Sequence, residues 1–350
     1  MMWTFLRYLL LPFSIIYGLI VWLRNRLYDF HILSSQGFHI PTIVVGNLAV
    51  GGTGKSPMTE FVVAYLSSTY NVAILSRGYG RKTKGFRAVQ TDSLSMDVGD
   101  EPLQFKSKFP NVTVAVSENR CAGIEKLQKD HQLIILDDAY QHRKLSPLLN
   151  ILLFDFRSFS HPMFVFPAGD FRDLLIESKR AQIIVITKCP KNISPKDKIH
   201  IEKKLRYHNK EALIVYSHID YFEPVNSSGT QIDIKDMDII LVTGIAKPEP
   251  LVDHIYKKAN SINHISFGDH HTFNNTDIDH ILKTFRSLDS NNKIILTTEK
   301  DYQRLKPYKD RFEAVGLVYI PIGLKFNDPE QKDRFCNIIS DTIALSVNQP

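Results

Sequence analysis

Residues 46–56 read Gly-Asn-Leu-Ala-Val-Gly-Gly-Thr-Gly-Lys-Ser, and the segments on either side fix how that stretch is used. Upstream, Ile40 to Val45 is a β-branched apolar run broken only by Pro41 and Thr42, the mark of a buried strand. Downstream, Pro57 suits a first helical turn, and Met58 to Leu66 continues as a helix. Strand, glycine-rich loop and a Gly-Lys-Ser that opens a helix form the setting of a phosphate-cradling P-loop. Glycines let backbone N–H groups turn inward around an anion, and the helix N-terminus adds its positive dipole end. Gly51, Gly52, Thr53, Gly54, Lys55 and Ser56 are thus the candidate nucleotide contacts, with Lys55 on the β/γ-phosphates and Ser56 on Mg²⁺. The usual first glycine of the pattern falls on Ala49, so the loop is expected to turn later, at Gly51 and Gly52.

A chain of 350 residues is long enough for two domains, and 43% apolar with 23% charged residues is ordinary for a folded protein. The formal net charge of +6 suits anionic partners without choosing among phospholipid, phosphorylated substrate and nucleic acid. Cys121, Cys189 and Cys336 lie far apart with no C-x-x-C pair, which excludes a disulfide framework or zinc site and suits a reducing compartment.

Residues 8–23 carry no charge, with Arg7 before them and Arg24 and Arg26 after. The run is short for a spanning helix, which needs about 20 apolar residues. No small-residue cleavage site follows it, as a signal peptide would require. A buried core helix is the bland alternative. Trp3, Tyr8, Tyr17, Trp22 and the flanking arginines favour a membrane interface. The expectation is a monotopic anchoring helix over 1–28, on the cytoplasmic face because the nucleotide site belongs there.

Beyond it, strands and helices alternate, as in an open, mainly parallel α/β sheet with helices on both faces. The expected division is a P-loop core over 29–222, a hairpin linker over 223–237 around Asn226-Ser-Ser-Gly-Thr230, and a smaller α/β domain over 238–350. Ligands on such sheets bind beyond the carboxyl ends of the strands. After Leu133–Leu136 come Asp137 and Asp138, an apolar strand ending in carboxylates that hold Mg²⁺ or merely cap a helix. Gly99-Asp100-Glu101-Pro102 opens another helix, where Asp100 is either an N-cap or a general base beside a metal-binding Glu101. Arg77, Arg81, Lys82, Lys84, Arg87, Arg120 and Arg172 fall in loops or at a helix start, where most basic residues are simply solvated. Beside a nucleotide, such arginines also grip phosphate bidentately. Thr187-Lys188-Cys189-Pro190 stands where a guanine reader would end in aspartate, and Pro190 in its place points to ATP.

Seven motifs occur in order over residues 1–325: an N-terminal apolar helix, Gly46-Asn-Leu-Ala-Val-Gly-Gly-Thr-Gly-Lys-Ser-Pro57, Ser76-Arg-Gly-Tyr-Gly-Arg81, Gly99-Asp-Glu-Pro102, Asp137-Asp-Ala-Tyr-Gln-His-Arg143, Asp269-His-His-Thr-Phe273 and Thr297-Thr-Glu-Lys-Asp301. As an ordered set they resemble the tetraacyldisaccharide 4′-kinase family, the lipid A 4′-kinases of Gram-negative bacteria. The resemblance implies transfer of the ATP γ-phosphate to the 4′-hydroxyl of an acylated disaccharide 1-phosphate, forming lipid IVA on the cytoplasmic face of the inner membrane. It implies Asp100 as catalytic base paired with His270, with Lys55 also catalytic. Ser56, Glu101 and Asp137 fall on the metal side, with Asp138 beside Asp137 the other carboxylate open to the metal, and Arg77, Tyr79, Arg120, His142 and Arg172 lie near the lipid substrate or the transferred phosphate. On the residues alone, a membrane-associated ATPase driving a protein partner remains open, although no obligate protein partner is evident. A nucleic-acid-binding NTPase is disfavoured, because the basic residues are dispersed and no recognisable module accompanies them.

Overall fold

The computed structural model describes residues 7–347. Thirteen strands are present among them: β1 Thr42–Asn47, β2 Val72–Ser76, β3 Arg87–Ala88, β4 Thr113–Val116, β5 Leu133–Asp137, β6 Leu149–Asp155, β7 Ile183–Thr187, β8 Leu213–Tyr221, β9 Asp238–Thr243, β10 Ser261–Ser266, β11 Lys293–Thr298, β12 Leu317–Ile320 and β13 Ile322–Phe326. Nine of them form one sheet in the order β13-β8-β7-β6-β1-β5-β2-β4-β3. Every pairing in it is parallel except those at the two edges, where β13 and β3 run antiparallel to β8 and β4. The other four form a parallel sheet in the order β10-β9-β11-β12.

The large sheet is buried on both faces, which is why its strands read as unbroken apolar runs rather than alternating ones. In β1, Ile43 and Val45 point into one core with Met58, Val62 and Leu66, while Val44 points into the other with Leu136 and Leu152. The P-loop helix α2, Lys55–Leu66, covers the first of these faces. The small sheet is packed the same way, with Ile240 and Val242 on one side and Ile239 and Leu241 on the other.

One boundary differs from the sequence expectation. The sequence predicts one smaller domain over 238–350, but the chain leaves the small sheet after β12 and returns. Strand β13 pairs with β8, and Phe335, Cys336, Ile339 and Ile343 of helix Pro329–Val347 sit in the large-sheet core. Phe61 of α2 packs its ring edge-on against Phe326 and Phe335, 5.2 and 5.8 Å between centroids. Sequence order hides this return, because the seam between β12 and β13 is a single proline, Pro321. Around the expected hairpin, Val225 bridges both Gln231 and Tyr319.

Helix α1, Leu11–Asp29, is turned inside out for a water-soluble protein. Its inward side is small or polar, with Ser14, Gly18, Val21 and Asn25 buried. Ser14 Oγ accepts from the Ala168 N–H at 2.8 Å, and Asn25 Nδ2 donates to Asp173 Oδ1 at 2.9 Å. Its outward side is large and apolar: Phe13, Ile15, Ile16, Leu19, Ile20 and Leu23 are each 55–63% exposed. Among the described residues no helix is long and apolar enough to cross a membrane.

If the terminal helix is part of the large-sheet core, Phe335→Ala should lower the unfolding free energy by about 3–5 kcal/mol, the usual loss for a buried aromatic. Urea denaturation followed by tryptophan fluorescence measures this. A change below about 1 kcal/mol would show that the helix is only laid on the surface.

Candidate active site

The P-loop turns where the sequence places its glycines. Beyond the end of β1, residues 48–50 pair with the segment around Phe171, through Val50 N–H to Asp170 O at 2.6 Å and Arg172 N–H to Leu48 O at 2.8 Å. The chain then reverses at Gly51 and Gly54, whose φ values of 98° and 84° lie in the region that favours glycine. Thr53 is fixed from both sides, its hydroxyl accepting from Asn47 Nδ2 at 2.6 Å and its carbonyl accepting from Thr187 Oγ1 at 2.7 Å. Lys188 reaches the Gly52 carbonyl, so the Thr187-Lys188 pair props the loop.

Ser56, in the first turn of α2, donates to Glu101 Oε1 at 2.8 Å. That contact ties the P-loop to helix α3, Asp100–Lys108. Asp100 is the first residue of this helix, its N-cap being Gly99 without a side-chain cap, so the capping role open to it in the sequence is not the one it takes. No helix follows Asp137 and Asp138 either, which removes the capping alternative there. Asp137 is fully buried and accepts from Thr59 Oγ1 and Ser76 Oγ, both at 3.2 Å. Asp138 lies 3.8 Å from Lys55 Nζ and is gripped by Arg172, which also donates to Asn47 Oδ1 at 2.6 Å.

These carboxylates titrate differently. Burial, reinforced by the charges of Glu101 and Asp138, pushes Asp137 up to about 7. Burial would also raise Glu101, but Lys300, Lys55 and the Ser56 hydroxyl outweigh it and hold the group at about 2. For Asp100 the same desolvation is overcome by the His270 ring and the Arg304 guanidinium, which keep it below its ordinary value. Asp138 is held low, Lys55 and Arg172 overcoming its burial.

Glu101, Asp137 and Asp138 carry oxygen donors of the kind hard divalent cations take, and Glu101 accepts from the Ser56 hydroxyl. Among the described residues no three His, Cys, Asp or Glu side chains form a ready-made cage. Magnesium rarely uses one, keeping waters and phosphate oxygens instead.

The residues read as substrate contacts divide into two places. Tyr79 is 73% exposed, and its ring lies 5.7 Å from that of His270. His270 Nδ1 is 3.2 Å from Asp100 Oδ2, so the base candidate and its partner meet across the two sheets. Arg120 is buried beneath Asp138, donating to Ser117 O at 2.9 Å. His142 is pushed down to about 4 by burial, then by Arg120, Lys144, Arg24 and Arg77, and its Nε2 has no partner. Arg77, Arg120 and His142 therefore share a positive field, to which α1 contributes Arg24.

Known proteins give the context for this geometry. The sequence model described as Tetraacyldisaccharide-1-P 4′-kinase (LpxK) matches residues 6–340. The chain belongs to the tetraacyldisaccharide 4′-kinase family. The 4′-kinase of Bacteroides thetaiotaomicron is 42% identical over 345 residues, covering 93% of this chain and 90% of that protein. That of Phocaeicola vulgatus is 39% identical over 347 residues, covering 95% and 94%. A crystal structure of LpxK from Aquifex aeolicus in complex with ATP superposes with a TM-score of 0.75 at 27% identity, covering 97% of this chain and 99% of that one.

The structure brings two further cations into the site, one inside a family motif and one outside every motif. Both come from the short helix α4, Glu299–Leu305, of the small-sheet part. Lys300 Nζ donates to Glu101 Oε1 at 2.5 Å, and Arg304 donates to Asp100 Oδ2 through Nε at 2.8 Å and Nη2 at 2.5 Å. Lys300 lies within the Thr-Thr-Glu-Lys-Asp motif, so its proximity had a signal. Arg304 is one turn beyond it, and nothing in the sequence set it apart.

The seam next to them holds a buried acid with an excess of negative charge. Glu299, 7% exposed with Oε2 unpartnered, is pushed up to about 7 by burial and by Glu60, against the pull of Lys108. Its folded pKa lies above the ordinary 4.5, so the folded protein holds this proton where the unfolded chain has released it. Stability from this group is complete below pH 4.5 and is lost as pH rises through 7. Glu299→Gln should therefore raise unfolding free energy by about 1–3 kcal/mol at pH 8 and hardly at all at pH 5. Urea titrations at the two pH values test it, and an equal effect at both would contradict the account.

Proposed function

We propose that this chain transfers the γ-phosphate of ATP to the 4′-hydroxyl of a tetraacyldisaccharide 1-phosphate, yielding lipid IVA for lipid A synthesis. One observation supports the site assignment above all others. Ser56, next to the P-loop lysine, is hydrogen-bonded to Glu101, so Asp100 stands one residue from a carboxylate already tied to the phosphate cradle. This neighbourhood supports reading Asp100 as the proton acceptor near the γ-phosphate of a nucleotide held by the loop.

In this reading the loop N–H groups of Gly51 to Ser56 and the Lys55 ammonium hold the phosphates, and Asp100 takes the proton of the attacking hydroxyl with His270 beside it. Ser56, Glu101, Asp137 and Asp138 are the residues that would hold Mg²⁺, which when bound neutralises phosphate charge. Arg172, already on Asp138, faces the same crevice. Tyr79 borders the acceptor, and Arg77, Arg120, His142 and Arg24 make a basin for the substrate's own phosphate. The large sheet with β13 and the terminal helix acts as one part, the small sheet over 238–320 as the other, with the reaction between them.

The outward apolar side of α1 fits the headgroup boundary of a membrane, lying in its plane with Arg7, Arg24 and Arg26 at its polar edge. Phe164 and Phe166 extend it, their rings edge-on to Tyr8 and Tyr17 at 6.5 and 6.2 Å. A nucleotide-dependent enzyme of this type works on the cytoplasmic face of the inner membrane. A helix anchored there brings an acylated substrate to the site without extracting its chains.

With γ-labelled ATP and tetraacyldisaccharide 1-phosphate in detergent micelles, the protein should give a labelled lipid. Lys55→Ala should reduce its formation at least about a hundredfold, and Asp100→Ala by about a hundred- to ten-thousandfold. Label appearing only as inorganic phosphate would overturn the acceptor assignment. Near-normal turnover in either variant would remove that residue from its role.

The surface contact has its own test. Replacing Ile16 and Ile20 together by aspartate should weaken sedimentation with anionic vesicles at least about tenfold, since each buried apolar side chain contributes roughly 1.5–3 kcal/mol. The melting temperature should hold. Unchanged vesicle binding would place the membrane contact elsewhere.

A further inference from the structure

Arg304 is only 6% exposed and uses every hydrogen-bonding direction an arginine has. Its Nη1 donates to Asp301 Oδ1 at 2.8 Å and to the Gly244 carbonyl at 2.9 Å. Those two anchors belong to the small-sheet part and are themselves fixed. Asp301 is fully buried, and its Oδ2 accepts from the Gly244 N–H at 2.8 Å and from Thr298 Oγ1 at 2.7 Å. The Gly244 carbonyl also accepts from the His270 N–H at 3.1 Å, so one peptide unit places both Arg304 and His270.

The remaining edge of the guanidinium faces the other part of the molecule. Nε and Nη2 both end on Asp100 Oδ2, and Nη2 lies 3.0 Å from His270 Nδ1. An arginine donates only, whereas a ring nitrogen of histidine donates or accepts according to tautomer. With a bare Nδ1, Nη2 serves both acceptors. With a protonated Nδ1, His270 donates to Asp100 and Arg304 keeps its own bonds to the carboxylate. In either tautomer the guanidinium is the constant partner of Asp100.

All of these contacts fall on one oxygen. Among the hydrogen bonds of the described residues none reaches Asp100 Oδ1. The two carboxylate oxygens are thus unequal, one clamped and one free.

We propose that Arg304 is a positioning residue for phosphoryl transfer, pinning Oδ2 of Asp100 through the Asp301–Gly244 anchor so that Oδ1 is the oxygen presented to the acceptor hydroxyl. This rests on the reading of Asp100 as the base. In the step, the substrate oxygen forms its bond to the γ-phosphorus and the hydroxyl proton passes to Oδ1. The bond from the γ-phosphorus to the bridging oxygen breaks, and its electron pair leaves with ADP. A carboxylate free to rotate would present either oxygen, or neither, at the in-line geometry, and a misplacement near 1 Å is enough to slow a reaction about a hundredfold.

The experiment compares Arg304→Ala, Arg304→Lys, Asp100→Ala and the Arg304→Ala/Asp100→Ala double variant in the labelled-lipid assay. Arg304→Ala is expected to lower kcat about a hundredfold while leaving KM for ATP within about threefold, because the P-loop is untouched. Millimolar guanidinium chloride should restore about a tenth or more of the lost turnover, and urea, neutral and of similar shape, should restore none. The double variant should be no slower than Asp100→Ala, since the two act on one proton transfer. A folded Arg304→Ala protein with kcat within threefold of the starting enzyme, or with a deficit that guanidinium leaves untouched, overturns the proposal. So does a double variant in which the two losses multiply. If Arg304→Ala does not fold, Arg304→Lys decides. A fall of about tenfold in kcat at an unchanged melting temperature supports the need for the planar donor, and full turnover overturns it. Near-normal turnover by Asp100→Ala would fell the base assignment and this inference with it, whereas a dead Asp100→Ala beside an active Arg304→Ala fells this inference alone.

Discussion

Four carboxylates, Asp100, Glu101, Asp137 and Asp138, are held in one crevice, and the site exists because cations from distant parts of the chain make that crowding tolerable. Lys55 and Arg172 approach from the large-sheet part, Lys300 and Arg304 from the small-sheet part. Removing one member of a buried ion pair typically destabilises by 3–5 kcal/mol, because its partner is left charged and unpaired. The electrostatics of phosphate chemistry and the docking of the two parts are consequently one problem here. The four-position spacing from Lys300 to Arg304 places both on one side of α4, facing two consecutive acids at the start of α3.

The N-terminal helix is joined to the same crevice. Tyr17 donates to the Arg172 carbonyl at 2.9 Å, Asn25 reaches Asp173, and Arg24 donates to the Gln141 carbonyl. The side of α1 that grips the protein therefore adjoins the loops carrying Arg172 and His142, while its other side stays apolar and uncovered. An acylated sugar has the same division, with chains that prefer lipid and a headgroup that must meet ionic side chains.

Much of this was legible in the sequence because it is local. The P-loop, the strand ending in Asp137-Asp138 and the Gly-Asp-Glu-Pro helix start are each set by neighbours within a few residues. Helix Pro195–Arg206 is set in the same local way, with the Ser194 side chain accepting from the Asp197 N–H and Pro195 at its first position. What sequence reading missed depends on contacts between residues far apart. Arg304 meets Asp100 across 204 positions, and no pattern on a seven-residue helix predicts that. The return of β13 and the terminal helix was hidden for the same reason, since their partners β8 and α2 lie over a hundred residues upstream. The apolar run at the N-terminus was plain, but that its small residues Ser14 and Gly18 would be the buried ones emerges only once Val165, Ala168 and Leu174 are in place.

Two strands, rather than one linker, join the small sheet to the large one. The chain enters beyond β8 and comes back into β13, and these passages run side by side. Phe222 N–H donates to the Pro321 carbonyl at 3.0 Å, and Val225 and Tyr319 exchange backbone bonds at 2.8 and 3.0 Å. A paired antiparallel ribbon bends across its flat face far more readily than it shears or slides, because sliding breaks every rung of the ladder at once. Any displacement that kept these rungs would have to bend the ribbon, and it would carry Lys300 and Arg304 together, because both sit on α4.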